Sequence, residues 1–147
     1  MGTITIPVAT GELADKITIL DIKLERIDDA GKQANVRAEL DQLLPLWRQV
    51  LVTAGTAQAG RDDLEALKTR LREVNERMWD IQDGLRERER QQCFDAEFVR
   101  LARAVATTNG ERVAIKNAIN RQSGSAFIEE KQYHGEAGPA DAGSGSK

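Results

Sequence analysis

Three polar residues late in the chain stand at helical spacing. Asn109, Arg112 and Lys116 follow one another in steps of three and four, so on a continuous helix they share one face. Two cations a turn apart, with an amide beside them, are suited to grip a phosphate or a carboxylate. Extending the apolar series Phe98, Leu101, Val105 by the same steps lands on these three residues and then on Ile119. On one reading the helix runs through, and its core-facing side carries two cations that must be paired or must bind an anion. Asp80 and Asp83, or Glu39, are the carboxylates at hand for that role. On the other reading Asn109-Gly110 stops one helix, and a second starts with its phase reset. Ile115, Ala118 and Ile119 then face the core, and Arg112 and Lys116 face water. The Asn-Gly pair weights this second reading, or a bend equivalent to it.

Other residue sets offer less. Asn75, Trp79, Asp83 and Arg86 lie along one side of a long helical pattern. A tryptophan among polar groups can be a ligand platform, although packing at a bundle edge is its commoner use. Asp15, Asp21, Glu25 and Asp28 form a carboxylate row without the Glu-x-x-His element that a di-iron bundle needs. One cysteine, Cys93, and one histidine, His134, argue against a disulfide framework and against multi-His or Cys-rich metal sites. Cys93 has no base near it in sequence, so an inert thiol is expected. No glycine-rich phosphate loop and no Ser-His-Asp set can be assembled. Neither a metal nor a cofactor is expected.

Such residues need elements to position them, and composition says which. The chain has 147 residues, 31 % of them charged and 4 % aromatic, a mixture typical of long amphipathic helices. With 21 Lys and Arg against 24 Asp and Glu, the net charge is −3, which argues against a general nucleic-acid binder. No run approaches the ~18–20 apolar residues of a membrane span. Met1 to Pro7 lacks the basic-then-apolar pattern of a secretory leader, so a cytoplasmic location is expected.

Ile4, Ile6 and Val8 alternate with Thr3, Thr5 and Pro7, a short extended segment that could pair with Ala126–Ile128 or with another subunit. Helix one is expected over 11–28 with Thr10 as N-cap. Leu13, Ile17, Leu20, Leu24 and Ile27 form its stripe, and Ile19 and Ile22 form a second apolar strip. A helix greasy on two sides is sandwiched between neighbours or exposed to a partner chain. Gly31 suits a left-handed turn. Helix two, over 32–53, keeps its apolar phase through Pro45, which predicts one kinked helix with the proline outside. A small-residue loop over 54–60 leads to helix three, over 62–92. Its series Leu64, Leu67, Leu71, Val74, Met78, Ile81, Leu85 is the strictest heptad in the chain and reads as coiled-coil-like packing. Asp95 caps helix four, Ser123-Gly124-Ser125 ends it, and Phe127 to Tyr133 could dock as an arm. The Gly/Ala/Ser-rich residues 135–147 are expected to be disordered. The predicted fold is all-α: an antiparallel bundle of about four helices in one domain over 1–134, with a long helix-three/helix-four hairpin.

The run Gly11-Glu12-Leu13-Ala14-Asp15-Lys16-Ile17-Thr18-Ile19-Leu20, then Ile22-Lys23 and Glu25-Arg26-Ile27, resembles the opening of a bacterial family of unknown function. Leu71 to Glu76 with Trp79-Asp80-Ile81 resembles its middle. Phe94-Asp95, Phe98, Leu101 to Arg103, Thr108-Asn109, Arg112, Ile115-Lys116 and Ile119-Asn120 resemble its end, with Glu129 to Lys131 and Tyr133 in its terminal arm. Gly110 departs from the pattern, standing where an acidic residue is expected. The resemblance implies no established activity and turns the alternative below toward envelope polysaccharide sugars.

Two functions are carried forward. The first is a non-catalytic interaction or scaffold protein, a homodimer or the binder of a protein partner, with Ile19, Ile22 and Trp79 as interaction candidates. The second is a small all-α enzyme or anion-binding protein for a phosphorylated sugar or dicarboxylate. Asn109, Arg112 and Lys116 would hold the anion, and Asp80 or Asp83 would orient it or act as acid/base.

Overall fold

The computed structural model describes residues 2–54, 58–125 and 127–130. Four helices follow in chain order: α1 (Thr10–Arg26), α2 (Ala30–Ala54), α3 (Gln58–Arg90) and α4 (Ala96–Ser123). Among the described residues there is no strand. Ile4, Ile6 and Val8 join no ladder among the described residues, and Glu129 is held against α4 by Asn117 and Lys116. Residues 55–57, His134 and the terminal residues 135–147 lie outside the described residues. Among the described residues no helix is long and apolar enough to cross a membrane.

Helix α1 is the centre of the bundle and packs on all three others. Ile17 and Leu20 bury the expected stripe, joined by Leu40 and Trp47 of α2 and by Leu64, Leu71 and Val74 of α3. Gly11, Asp15, Thr18 and Ile22, in steps of four, three and four, are buried too. They lie about 200° from that stripe at ~100° per residue, so α1 is covered on opposite sides. Each fully buried Ile or Leu contributes roughly 1.5–3 kcal/mol. Ile22 is therefore enclosed within its own chain, not offered to a partner.

The helix ends follow local chemistry, with two departures from expectation. Thr10 is not the N-cap: Ala9 holds that position without a side-chain cap. The first amides are met from the far end of the chain, where Thr10 N donates to Ser125 Oγ at 3.3 Å and Gly11 N to Asn120 Oδ1 at 2.6 Å. The turn before α2 uses no left-handed glycine. Gly31 is already helical, and Asp29 Oδ1 accepts from Lys32 N at 2.8 Å as an aspartate cap. Pro45 sits exposed inside one uninterrupted α2. Asp95 caps α4 by accepting from Phe98 N at 3.0 Å. Gly124, at φ 69°, closes α4 with Ser125 N donating to Asn120 O at 2.8 Å, the left-handed termination in which glycine carries no Cβ penalty.

Helix α4 runs through Asn109-Gly110 without a break. The weight that the sequence placed on a phase reset is corrected: helical neighbours on both sides of Gly110 override one poor helix former, whose cost is only about 1 kcal/mol.

Candidate functional site

Because α4 is continuous, Arg112 and Lys116 turn inward against α1. Arg112 forks onto Asp15: Nε donates to Oδ1 at 2.9 Å and Nη2 donates to Oδ2. Asp15 is buried and takes a third bond, from Asn75 Nδ2 of α3, at 2.9 Å. The same amide donates to Thr18 Oγ1 at 3.0 Å, while the Thr18 hydroxyl donates to Asp15 O at 2.8 Å. One carboxylate thus joins α1, α3 and α4. The bond to Asp15 holds the Arg112 guanidinium above its ordinary pKa against the burial that opposes its charge.

One turn further along α4, Lys116 is 4 % exposed. Its Nζ lies 2.8 Å from Glu12 Oε2 and 2.6 Å from Glu129 Oε2. Burial works against the ammonium, but the bonds to the two glutamates outweigh it and raise the pKa. Glu129 is placed by Asn117, whose Nδ2 donates to Glu129 O at 2.8 Å and whose Oδ1 accepts from Glu129 N at 2.9 Å. A side-chain amide here imitates one rung of a strand ladder. Residues 127–130 therefore close on their own chain.

The remaining candidates lie elsewhere. Asp80 pairs with Arg26, Asp83 with Arg86 at 2.6 Å, and Glu39 with Lys16 at 2.7 Å. None of the three meets Arg112 or Lys116, so the carboxylates first matched to these cations are replaced by Asp15, Glu12 and Glu129. Asn109 stays near Arg112, its Oδ1 3.4 Å from Nη1. Ile19, Ile22 and Trp79 do come together, around a cleft between α1 and α3 that Arg112 and Asn75 also line. Arg26 lies over the Trp79 ring, 5.9 Å from its centroid. Ile22 is buried and Ile19 and Trp79 are half-buried, so the second strip of α1 is an internal wall.

As a chemical device the network is self-contained. Arg112 is neutralised by one carboxylate, and Lys116 faces two. A free anion approaching Lys116 would meet net negative charge. Among the described residues no group of His, Cys, Asp and Glu could hold a metal ion. Cys93 is half-buried, with Arg88 Nη1 3.6 Å from its sulfur. The sequence pattern did not point to Asp15, Glu12 and Glu129 as the cation partners, nor to Asn75 as the amide that supports Asp15. One signal was present: Gly11, Asp15, Thr18 and Ile22 share a face of α1, and an acid on an otherwise small or apolar face predicts a buried pair.

The main core ends at Val74 on α3 and Ile115 on α4. Beyond Asp80, α3 and the first part of α4 continue as a two-helix arm. Leu101 is buried there, while Ile81, Leu85, Phe98 and Val105 are only half-buried. Phe94 and Val99 are 53 % and 51 % exposed, and Phe94 stacks edge-on against Phe98 at 5.1 Å.

A model of the family of unknown function DUF6165 matches residues 4–146. No curated protein and no solved structure matches the chain.

Proposed function

We propose, for a chain that belongs to the DUF6165 family, a non-catalytic role: a helical interaction protein that self-associates through the arm formed by the end of α3 and the start of α4. The observation that carries this reading is the incomplete seam of the arm. A helix pair buries a heptad stripe on one side only, and two such pairs laid together close a four-helix bundle. Ile81, Leu85, Phe98 and Val105 supply that stripe, with Phe94 just before α4 and Val99 on its flank as further exposed apolar side chains. The paired state of Arg112 and Lys116 supports the choice over an anion-binding enzyme, because the cations that would hold an anion are already occupied.

The test is mass in solution. Analytical ultracentrifugation of the full chain is expected to give a dimer at micromolar concentration. Val99→Asp and Phe94→Asp are expected to give monomers with unchanged helical circular dichroism. A wild-type chain that stays monomeric at the highest soluble concentration overturns the proposal. The anion-binding alternative predicts instead that millimolar phosphorylated sugars or dicarboxylates raise the melting temperature, and that Arg112→Ala abolishes the rise.

A further inference from the structure

The cleft between α1 and α3 has a volume of about 160 Å³. Ile19, Ile22 and Met78 make it predominantly apolar, Trp79 forms part of its wall, and Asn75 and Arg112 are among its polar lining. Asn75 is 6 % exposed. Its amide nitrogen is committed to Asp15 and Thr18, and the Asp15 carboxylate, which can only accept, fixes which way the amide faces. That leaves Asn75 Oδ1, which accepts no hydrogen bond from the described residues. That oxygen borders the cleft, and a ligand N–H that donates to it takes the place of water. Beside it Arg112 is held by Asp15 through Nε and Nη2, while Nη1 makes only the long bond to Asn109.

Charge decides the class of ligand. Each guanidinium bordering the cleft has its own carboxylate: Arg112 has Asp15, Arg86 has Asp83, and Arg26, over the Trp79 ring, has Asp80. The site is balanced, so nothing in it rewards an ion. We propose that this cleft binds a small, flat, uncharged molecule with an amide-type edge. Its N–H donates to Asn75 Oδ1, its carbonyl accepts from Arg112 Nη1, and its hydrocarbon part lies on Ile19, Met78 and Trp79. The proposal does not rest on self-association, because the cleft lies within one chain.

Benzamide is the probe. Benzoate has the same shape with a charge, and acetophenone has the same shape without the donor. Each is titrated into the isotope-labelled full chain while the Trp79 indole N–H and the Asn75 side-chain amide are followed by NMR. Benzamide is expected to shift both signals and saturate with a Kd of about 1 mM, the range open to so few atoms. Acetophenone is expected to bind about tenfold more weakly for want of one hydrogen bond. Ile19→Trp, which fills the cleft without touching the polar network, is expected to remove the benzamide shifts and keep the spectrum of a folded chain. Absence of benzamide shifts overturns the proposal, as does benzoate or acetophenone binding as tightly as benzamide. Repeating the titration on Val99→Asp separates the two proposals, since loss of the dimer leaves the cleft intact.

Discussion

Asp15 of α1 and Arg112 of α4, 97 positions apart in sequence, hold each other through two parallel hydrogen bonds in the interior of the bundle. The fork geometry suits arginine alone; removing Arg112 leaves the Asp15 carboxylate buried without its counter-charge, whereas removing Asp15 leaves a guanidinium that is only half-buried. Asp15→Ala is expected to lower unfolding free energy by about 3 kcal/mol, the lower end for a broken buried pair, measured by urea denaturation. Arg112→Lys is expected to lose much of the same stability, because an ammonium cannot reproduce the fork. A loss under about 1 kcal/mol for Asp15→Ala would show the pair to be dispensable.

Gly11 and Gly110 predict substitutions of opposite sign. A Cβ on Gly11 would stand 2.3 Å from Lys116 O, a backbone atom that cannot swing aside. Gly11→Ala therefore forces α1 away from α4 and is expected to cost about 3 kcal/mol, at the upper end of overpacking effects. A Cβ on Gly110 would meet nothing within 4 Å. Gly110→Ala is expected to stabilise α4 by about 0.5–1 kcal/mol. Melting temperatures of the two variants check both signs.

Lys116 makes stability depend on alkaline pH. Its pKa in the folded chain is raised from 10.5, so the folded state holds the proton more tightly than the unfolded one. The stabilisation is fully present below 10.5 and is lost as pH rises through the higher folded value. Lys116→Met, which keeps the length and gives up the charge, is expected to cost about 2 kcal/mol at neutral pH, less than a fully buried pair because Glu12 is half in water. The gap in melting temperature between variant and wild type is expected to narrow above the ordinary lysine range. A constant gap up to strongly alkaline pH contradicts the assignment.

Asn117 pins Glu129 by both peptide groups. Asn117→Ala is expected to leave the helices folded and to speed amide exchange at Glu129 by at least tenfold, the factor for one lost bond of ~1.4 kcal/mol. Exchange mass spectrometry on the terminal peptide reads this directly. Unchanged protection would mean that Lys116 alone holds the segment.

The helices were legible because their apolar residues recur with the helical period, and a period survives whatever the neighbours are. The same logic carried Pro45 inside α2, the Asp95 cap and the terminating Gly124. Extending the series from Phe98 through Asn109-Gly110 put Arg112 and Lys116 on the inner face as one of two readings, but the Asn-Gly pair weighted the other, with both cations in water. The partners of those cations were not legible. Asp80 and Asp83 were chosen as acids on a neighbouring helix, but pairing across helices depends on where they cross. The crossing sets Asp15 beside Arg112 and sends Asp80 to Arg26. The caps of α1 were hidden for the same reason: Asn120 and Ser125 come from the opposite end of the chain.

The helix enclosed on opposite sides is also the one that precedes the other three along the chain. While α1 leaves the ribosome, none of the surfaces that will cover Ile17 or Ile22 yet exists, and Asp15 has no arginine to meet. The contacts of α1 with α2 and of α3 with α4 are local across short turns and form quickly, whereas those of α1 with α3 and α4 must wait for distant residues. The Asp15 side of α1 therefore stays without its cover until α3 and α4 have been made, and its first amides stay without Asn120 and Ser125 until the end of α4 has been reached.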